Sequence, residues 1–151
     1  RADLTGADLT GANLTGANLR GAKLTNAILK TSKLGKANLT GASASKADFT
    51  NASGIKANLS YINLNGATLV NTSLTSAKLD SSYLFQANLT GANLSSITAM
   101  YSNMTSVNLT SANLTNATID YAFMFGAITT GAVQTGAIFT GTQMPNGTIQ
   151  P

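Results

Sequence analysis

Large apolar side chains recur at every fifth position of this chain, from Leu4 to Ile149. Of the thirty positions in this series, eighteen are Leu and seven are Phe, Met or Ile, and Ala stands two residues before twenty-one of the thirty. A spacing of five fits neither the helical period of 3.6 nor the two-residue alternation of a strand. The pattern predicts a chain that turns a corner every five residues and buries one large and one small side chain on each side.

The blocks between these corners resemble a known motif. Residues 7–11 read Ala-Asp-Leu-Thr-Gly, and residues 12–16 and 87–91 both read Ala-Asn-Leu-Thr-Gly. They resemble the A(D/N)LXX motif of the pentapeptide-repeat family, and the resemblance extends over residues 2–127. It implies an all-β fold, the right-handed quadrilateral parallel β-helix, with about seven coils of 20 residues. Side chains twenty residues apart then lie over one another, and we call such a set a column.

The two ends of the chain carry separate expectations. We expect residues 1–151 to form one β-helix domain taken from a longer chain, because the sequence opens at Arg1 inside the repeat without a Met. Residues 142–151 are expected to form an irregular end, since Pro145 and the Asn-Gly pair after it predict a turn. This ending resembles those of some cyanobacterial members of the family. An open first coil would leave an unpaired strand edge, which favours end-to-end stacking.

The repeat weakens near the end of the chain. Thr129 and Gln134 occupy inward positions, whereas Ile128, Val133 and Ile138 each stand one residue before an inward position. We therefore expect the last coil to shift its inward side chain by one residue. Elsewhere Gly occupies the last position of eleven blocks, where it supplies the positive φ that a repeated tight corner requires.

The residue inventory argues against an enzyme. The chain has no His, Cys, Glu or Trp, which excludes Ser-His-Asp and Cys-His arrangements and any His-based zinc site. Three of the five Asp residues occupy the motif position that the family fills with Asp or Asn. The other two, Asp80 and Asp120, fall two coils apart in one column, about 10 Å, which is too far for a shared proton. We predict no catalytic, cofactor or metal site.

Aromatic residues give the leading functional hypothesis. Seven of the nine aromatic residues stand at outward positions, in columns that neighbour one another. The predicted interface consists of these seven and one Met beside them: Tyr61, Tyr83, Phe85, Met100, Tyr101, Tyr121, Phe123 and Phe125. Large exposed apolar patches mark contact sites, although stacked rings also stiffen a ladder. The sequence favours a non-catalytic structural or protein–protein interaction module that binds another protein or another copy of itself.

Charge gives the alternative hypothesis. All nine basic residues lie at or before Lys78, and the formal net charge is +4. Lys36 and Lys56 share a column, with Lys46 half a coil away, so this basic patch could bind an acidic partner or nucleic acid. A sparse solvated surface is the stronger explanation. Some family members mimic DNA and bind type II topoisomerases through strongly acidic surfaces, a role that a positive chain does not suit.

Hydropathy adds one exclusion. The longest apolar run is a few residues, far below the roughly 18 residues that span a bilayer. We therefore do not expect this segment to insert directly into a membrane.

Overall fold

The computed structural model describes all residues, 1–151, as a four-sided rod. Twenty-five parallel bridges join each outward residue to the residue twenty positions later, from Asp3 with Lys23 to Phe123 with Gln143. Each side is a three-residue segment with one bridge residue at its centre, and a two-residue turn forms each corner. The structure contains no helix, and accordingly none that could cross a membrane. The predicted coil of twenty residues is confirmed.

The four sides of each coil can be named from the first one. Face 1 holds residues 2–4 and every set twenty residues further on, face 2 starts from residues 7–9, face 3 from 12–14 and face 4 from 17–19. Because every parallel bridge joins residues twenty apart, each face stacks the same block positions in every coil. Face 1 therefore lies opposite face 3, and face 2 opposite face 4.

Every corner has the same backbone conformation. The second corner residue has a positive φ in all coils, whether it is Gly41 at +64° or Lys56 at +59°. Seventeen such corner residues are not glycine, and their φ values lie between 54° and 60°. The Asn or Asp at the outward position of a block fixes the first residue of the corner that follows. Its side-chain oxygen accepts a hydrogen bond from the backbone N–H of that residue, as Asn108 does from Thr110. This bond explains why Asn and Asp recur at that place in the sequence.

The interior is one continuous apolar column. Thirty-nine buried residues, mostly Leu and Ala, form a single core along the rod axis. Alternating large and small side chains fills the square cross-section at native packing density. A cavity of about 10 Å³ lies between Phe49, Gly54 and Leu74, where two inward positions carry small residues. The core has no cavity large enough to hold a ligand.

The expected shift in the last coil is wrong. Ile128, Val133 and Ile138 are about half exposed, at 49%, 49% and 50%, and they form ladder bridges as outward residues do in every other coil. Backbone hydrogen bonds hold this register, for example from the Ile128 N–H to the Val107 carbonyl. Gln134 points inward at the end of the rod, where no coil covers it, and it remains exposed to solvent. The polar residue is tolerated because its site is open.

The chain ends in a hairpin on face 1. Residues 142–144 continue the parallel ladder, and the chain then turns at residues 145–147. It returns antiparallel, with Gln143 bridged to Ile149 and the Gln150 N–H donating to the Thr142 carbonyl. Face 1 therefore carries two strand layers that faces 2, 3 and 4 lack.

Candidate interaction surface

The aromatic residues predicted from the sequence all lie on face 1 and its two corners. Tyr83 and Phe123 stand in the central column, joined by bridges through Asn103. Tyr61, Tyr101 and Tyr121 lie in one column, the tyrosine column, at the corner before face 1. Phe85 and Phe125 lie in one column at the corner after it. All seven rings are exposed, from 40% at Phe85 to 62% at Tyr61. The coil period therefore brings the seven to one side of the rod.

Only one pair of these rings is in direct contact. Tyr101 and Tyr121 stack with centroids 5.3 Å apart and planes 9° from parallel. Ser81 separates Tyr61 from this stack, while Asn103 and Thr105 separate the rings in the other two columns. Met100 lies beside the stack and is half-buried. Most rings therefore stand alone rather than stiffening a continuous ladder, and much of their apolar surface faces solvent.

The N-terminal half of face 1 carries small, polar and basic side chains, and the sequence analysis did not identify this feature. We call the other half, which holds most of the rings, the aromatic half. The same columns that carry rings towards the C-terminus carry Gly21, Gly41, Ser43 and Ser45 towards the N-terminus. The Arg1 side chain lies over Gly21, since a Cβ on that glycine would come within 2.8 Å of its Nε. Aligning the sequence in rows of twenty would have shown this contrast.

Two carboxylates border the aromatic half. Asp80 accepts from the Met100 N–H and from the Thr98 hydroxyl, at 3.0 and 2.9 Å. Asp120 accepts from the Thr140 N–H at 2.9 Å through Oδ1, and its Oδ2 has no hydrogen-bond partner. Each carboxylate thus holds the corner of the next coil. Asp120 keeps one oxygen available to an external cation.

The predicted basic patch is only partly brought together. Lys36 and Lys56 lie in one column at the corner between faces 3 and 4, whereas Lys46 lies at the diagonally opposite corner. All three are exposed, and none is in an ion pair. The ion pairs of the molecule are Lys23 with Asp3 and Lys30 with Asp48, both at 3.2 Å. The three lysines therefore cannot contact one flat partner together.

The acidic groups near the N-terminus are held in the charged form. Hydrogen bonds from the Thr5 side chain and backbone, and then from Lys23, lower the pKa of Asp3. Burial by itself would raise the pKa of Asp48, but hydrogen bonds from Thr50 and the Lys30 ammonium outweigh it, so this pKa also lies below the ordinary value. No three His, Cys, Asp or Glu side chains come close enough together to hold a metal ion.

Both ends of the rod carry backbone groups without partners in the chain. At the first coil, carbonyls such as those of Asp8 and Thr10 accept no backbone hydrogen bond, and Leu4, Leu9 and Leu14 are only partly buried. At the last coil, the N–H groups that would donate to a following coil have no backbone acceptor on faces 2, 3 and 4 and their corners; they belong to Thr129, Gly131, Gln134, Gly136 and Phe139. Face 1 alone is closed there, by the hairpin.

Comparison with known proteins agrees with this geometry. A family profile described as Pentapeptide repeats matches residues 1–30, 32–69, 57–95 and 82–131, in 8 copies. Among solved structures, HetL is 27% identical to the chain over 98% of the chain and 89% of HetL, with a TM-score of 0.54. HetL is a pentapeptide repeat protein of the cyanobacterium Nostoc sp. strain PCC 7120 and is involved in the regulation of heterocyst differentiation.

A second solved structure agrees in fold alone. QnrB1, a plasmid-mediated fluoroquinolone resistance protein, is 21% identical over 89% of the chain and 66% of QnrB1, with a TM-score of 0.53. No curated protein matches the sequence. With the twenty-residue bridges, the two structural likenesses show a right-handed quadrilateral β-helix.

Proposed function

The chain belongs to the pentapeptide-repeat family, and from this premise we propose that it is a non-catalytic structural and protein–protein interaction module. In this proposal the β-helix is a rigid rod, and the aromatic half of face 1 is the surface that binds a protein. The observation that carries the proposal is the gathering of seven exposed rings on one side of an otherwise polar surface.

The seven rings are the largest apolar groups that the surface exposes together. Exposed rings cost solvation free energy, and contact with a partner recovers it at roughly 25 cal/mol per Å² of apolar area. Tyr and Phe also lose little side-chain entropy on binding, which is why aromatic residues dominate interface energetics. The rest of the rod offers scattered charges and short polar side chains, apart from a single exposed apolar residue here and there. The interior is filled, so the chain provides no pocket for a substrate.

The test compares two matched double variants. Tyr121→Ser with Phe125→Ser removes two rings from face 1, whereas Ile128→Ser with Val133→Ser removes two equally exposed apolar side chains from faces 2 and 3. We expect the first variant to lose association, by sedimentation velocity for self-association and by quantitative pull-down for other proteins. We expect the second to keep it, since its substitutions lie on other sides of the rod.

The outcome separates an interface from a ladder of rings. If the face 1 variant associates as the unaltered chain does, the rings serve only the rod itself and the interaction surface is refuted. Equal loss in both variants would also refute it, because general apolar adhesion would then explain the binding. Unfolding midpoints of both variants should stay close to that of the unaltered chain, as expected for exposed positions.

A second candidate function is binding of an acidic partner or nucleic acid through the basic N-terminal half. It is favoured by the restriction of all nine basic residues to residues 1–78. Counterion release would then make binding fall steeply with salt. Lys36→Gln with Lys56→Gln should weaken binding to an acidic polymer and flatten that salt dependence. Binding that is insensitive to salt and to this pair of substitutions would eliminate this candidate.

A further inference from the structure

We propose that the partner of face 1 is a second copy of this chain, packed face to face and antiparallel as a two-fold symmetric dimer. This inference rests on the proposed function, because it takes the aromatic half of face 1 to be a binding surface. It adds the identity of the partner, its orientation and its register.

Two-fold symmetry fixes which columns of the two rods meet. We consider a two-fold axis that runs across the width of the interface, perpendicular to both rods. This axis makes the second rod antiparallel to the first and leaves each column opposite the same column of the second copy. In the column that holds Arg20, Met100 and Asp120, we place the two-fold axis midway between the levels of residues 60 and 80. Each residue of this column then lies opposite the residue of the second copy for which the two residue numbers add up to 140. The structure spans residues 1–151, so this register overlaps almost the whole length of both rods.

The register places every ring against a residue that is not aromatic. Along the tyrosine column, Tyr101 meets Gly41 of the second copy, and Tyr121 meets Gly21 with the Arg1 side chain over it. The remaining five oppositions are Tyr61 with Ser81, Tyr83 with Asn63, Phe85 with Asn65, Phe123 with Lys23 and Phe125 with Thr25.

Steric fit follows from this alternation. Six of the seven rings lie in the C-terminal half of face 1, and Tyr61 alone lies in the N-terminal half, so each rod presents a half that is mostly raised and a half that is mostly shallow. A parallel arrangement would oppose rings to rings at one end and leave a gap at the other. The antiparallel arrangement closes both ends, because each raised half meets a shallow half.

Charge supports the same register. Arg20 is exposed and has no ion pair, and Asp120 in the same column has an unpartnered Oδ2. The two lie five coils apart within one chain, about 24 Å, so they cannot pair with each other there. In the antiparallel dimer each Arg20 faces Asp120 of the second copy, and the contact occurs twice. A parallel dimer would leave both groups unpaired.

The area is sufficient for a specific contact. Seven coils at about 4.8 Å give a face about 34 Å long, and a side with its corners is about 15 Å wide. Each copy would bury on the order of 500 Å², or roughly 1,000 Å² in total, near the lower bound of specific interfaces. Self-association should therefore be reversible and dependent on concentration.

The first experiment reverses the charges. Asp120→Arg and Arg20→Asp should each weaken self-association about tenfold or more, because each homodimer then contains two repelling pairs. An equimolar mixture of the two variants should associate as the unaltered chain does, since every facing pair is again opposite in charge. Asp120→Asn, which keeps an oxygen for the Thr140 N–H, controls for any loss of the corner bond.

The second experiment tests the register directly. The chain has no Cys, so introduced thiols are the only ones present. A short bis-maleimide should join a Thr40→Cys chain to a Met100→Cys chain, because these positions face each other in the proposed dimer. Neither variant should cross-link to itself. A Thr110→Cys chain, whose thiol lies at the corner between faces 2 and 3, is the control and should remain uncoupled.

These results distinguish the dimer from the broader proposal. Cross-linking of Met100→Cys to itself would overturn the antiparallel register. If the unaltered chain stays monomeric throughout the concentration series, the dimer is refuted. The proposed function survives that result if the unaltered chain binds a different protein and the Tyr121→Ser, Phe125→Ser variant does not. If self-association resists the charge reversals but fails in that aromatic variant, this register is wrong and face 1 remains the interface.

Discussion

Faces 1 and 3 lie on opposite sides of the rod and share one backbone, yet their surfaces differ. Inside, both stack Leu and small residues at the same block positions, and outside, both are held by bridges twenty residues apart. The outward column of face 1 includes Tyr83 and Phe123, whereas that of face 3 is Asn, Lys and Ser until Val133. The comparison shows that the repeat fixes the interior and the ladder while leaving the outward side chain free to vary. We therefore expect the outward side chains, rather than the interior, to distinguish the function of one such rod from another.

The largest effects should come from the interior and should be the same on both faces. Leu84 on face 1 and Leu94 on face 3 are each 1% exposed. Replacing either by Ala should lower the free energy of unfolding by about 2–5 kcal/mol, through lost burial and the cavity left behind. Denaturant titration of both variants measures this. A much smaller loss on either face would show that the two interiors are not equivalent.

A second test concerns buried hydroxyls. The Oγ atoms of Ser82 on face 1 and Ser32 on face 3 are buried and have no hydrogen-bond partner. Ser→Ala at either site restores the usual residue of the repeat and should raise the free energy of unfolding by about 1 kcal/mol. Ser102→Ala is the matched control, because that hydroxyl donates to the Ala99 carbonyl and its removal should bring no gain. Gain at Ser102 as well would point to alanine packing rather than hydroxyl desolvation.

Corner residues should give a smaller and again symmetric effect. Ser81 beside face 1 and Ser111 before face 3 have φ values of 55° and 57°, which glycine adopts without strain. Replacing either serine by Gly should raise the unfolding free energy by about 0.5 kcal/mol. Glycine removes the strain of the left-handed conformation, and this gain exceeds the cost of the greater conformational entropy that glycine gives to the unfolded chain. Gly41→Ala, at a corner with open space around the new Cβ, should lower it. Thermal unfolding would reveal a wrong sign in either direction.

The smallest expected effect is the acid dependence near Asp48. Its pKa is lowered in the folded state, so its contribution to stability is present above the unfolded value of 3.8 and is lost as pH falls through the folded pKa. Asp48→Asn keeps an acceptor for Thr50 and removes the ion pair with Lys30, at a cost of at most about 1 kcal/mol near neutral pH. The variant should lose less stability than the unaltered chain on acidification below pH 3.8. Parallel titration curves would contradict this.

The five-residue repeat predicted the corners and the inward and outward side chains, whereas the twenty-residue coil was implied by the resemblance to the pentapeptide-repeat family. The bridges confirm the twenty-residue spacing, and the stack of Tyr101 on Tyr121 lies within one predicted column. The identification of face 1 as an interface stays a prediction. Its small, basic half was not predicted from the sequence, because Gly41 and Ser43 resemble the corner and outward residues of the other faces.

The last coil could not be predicted from the hydrophobic pattern. Apolar residues at Ile128, Val133 and Ile138 suggested a shift of register, but the ladder hydrogen bonds fix the backbone and leave these side chains outside. Gln134 gave a misleading signal because its site is solvated at the end of the rod. Patterns of burial report packing only where a neighbouring coil exists. Ile149 continues the five-residue series, but it forms an antiparallel bridge with Gln143 instead of another inward position, so the repeat did not predict the return strand.

The C-terminal hairpin makes one end of the rod stepped. Residues 142–150 raise face 1 by two strands, about 10 Å, above the level of the other three faces. A second molecule that brought its level first coil down towards Thr129 and Gln134 would strike this step before its carbonyls could reach their N–H groups. We therefore expect the hairpin to obstruct lengthwise growth into fibres at this end of the rod.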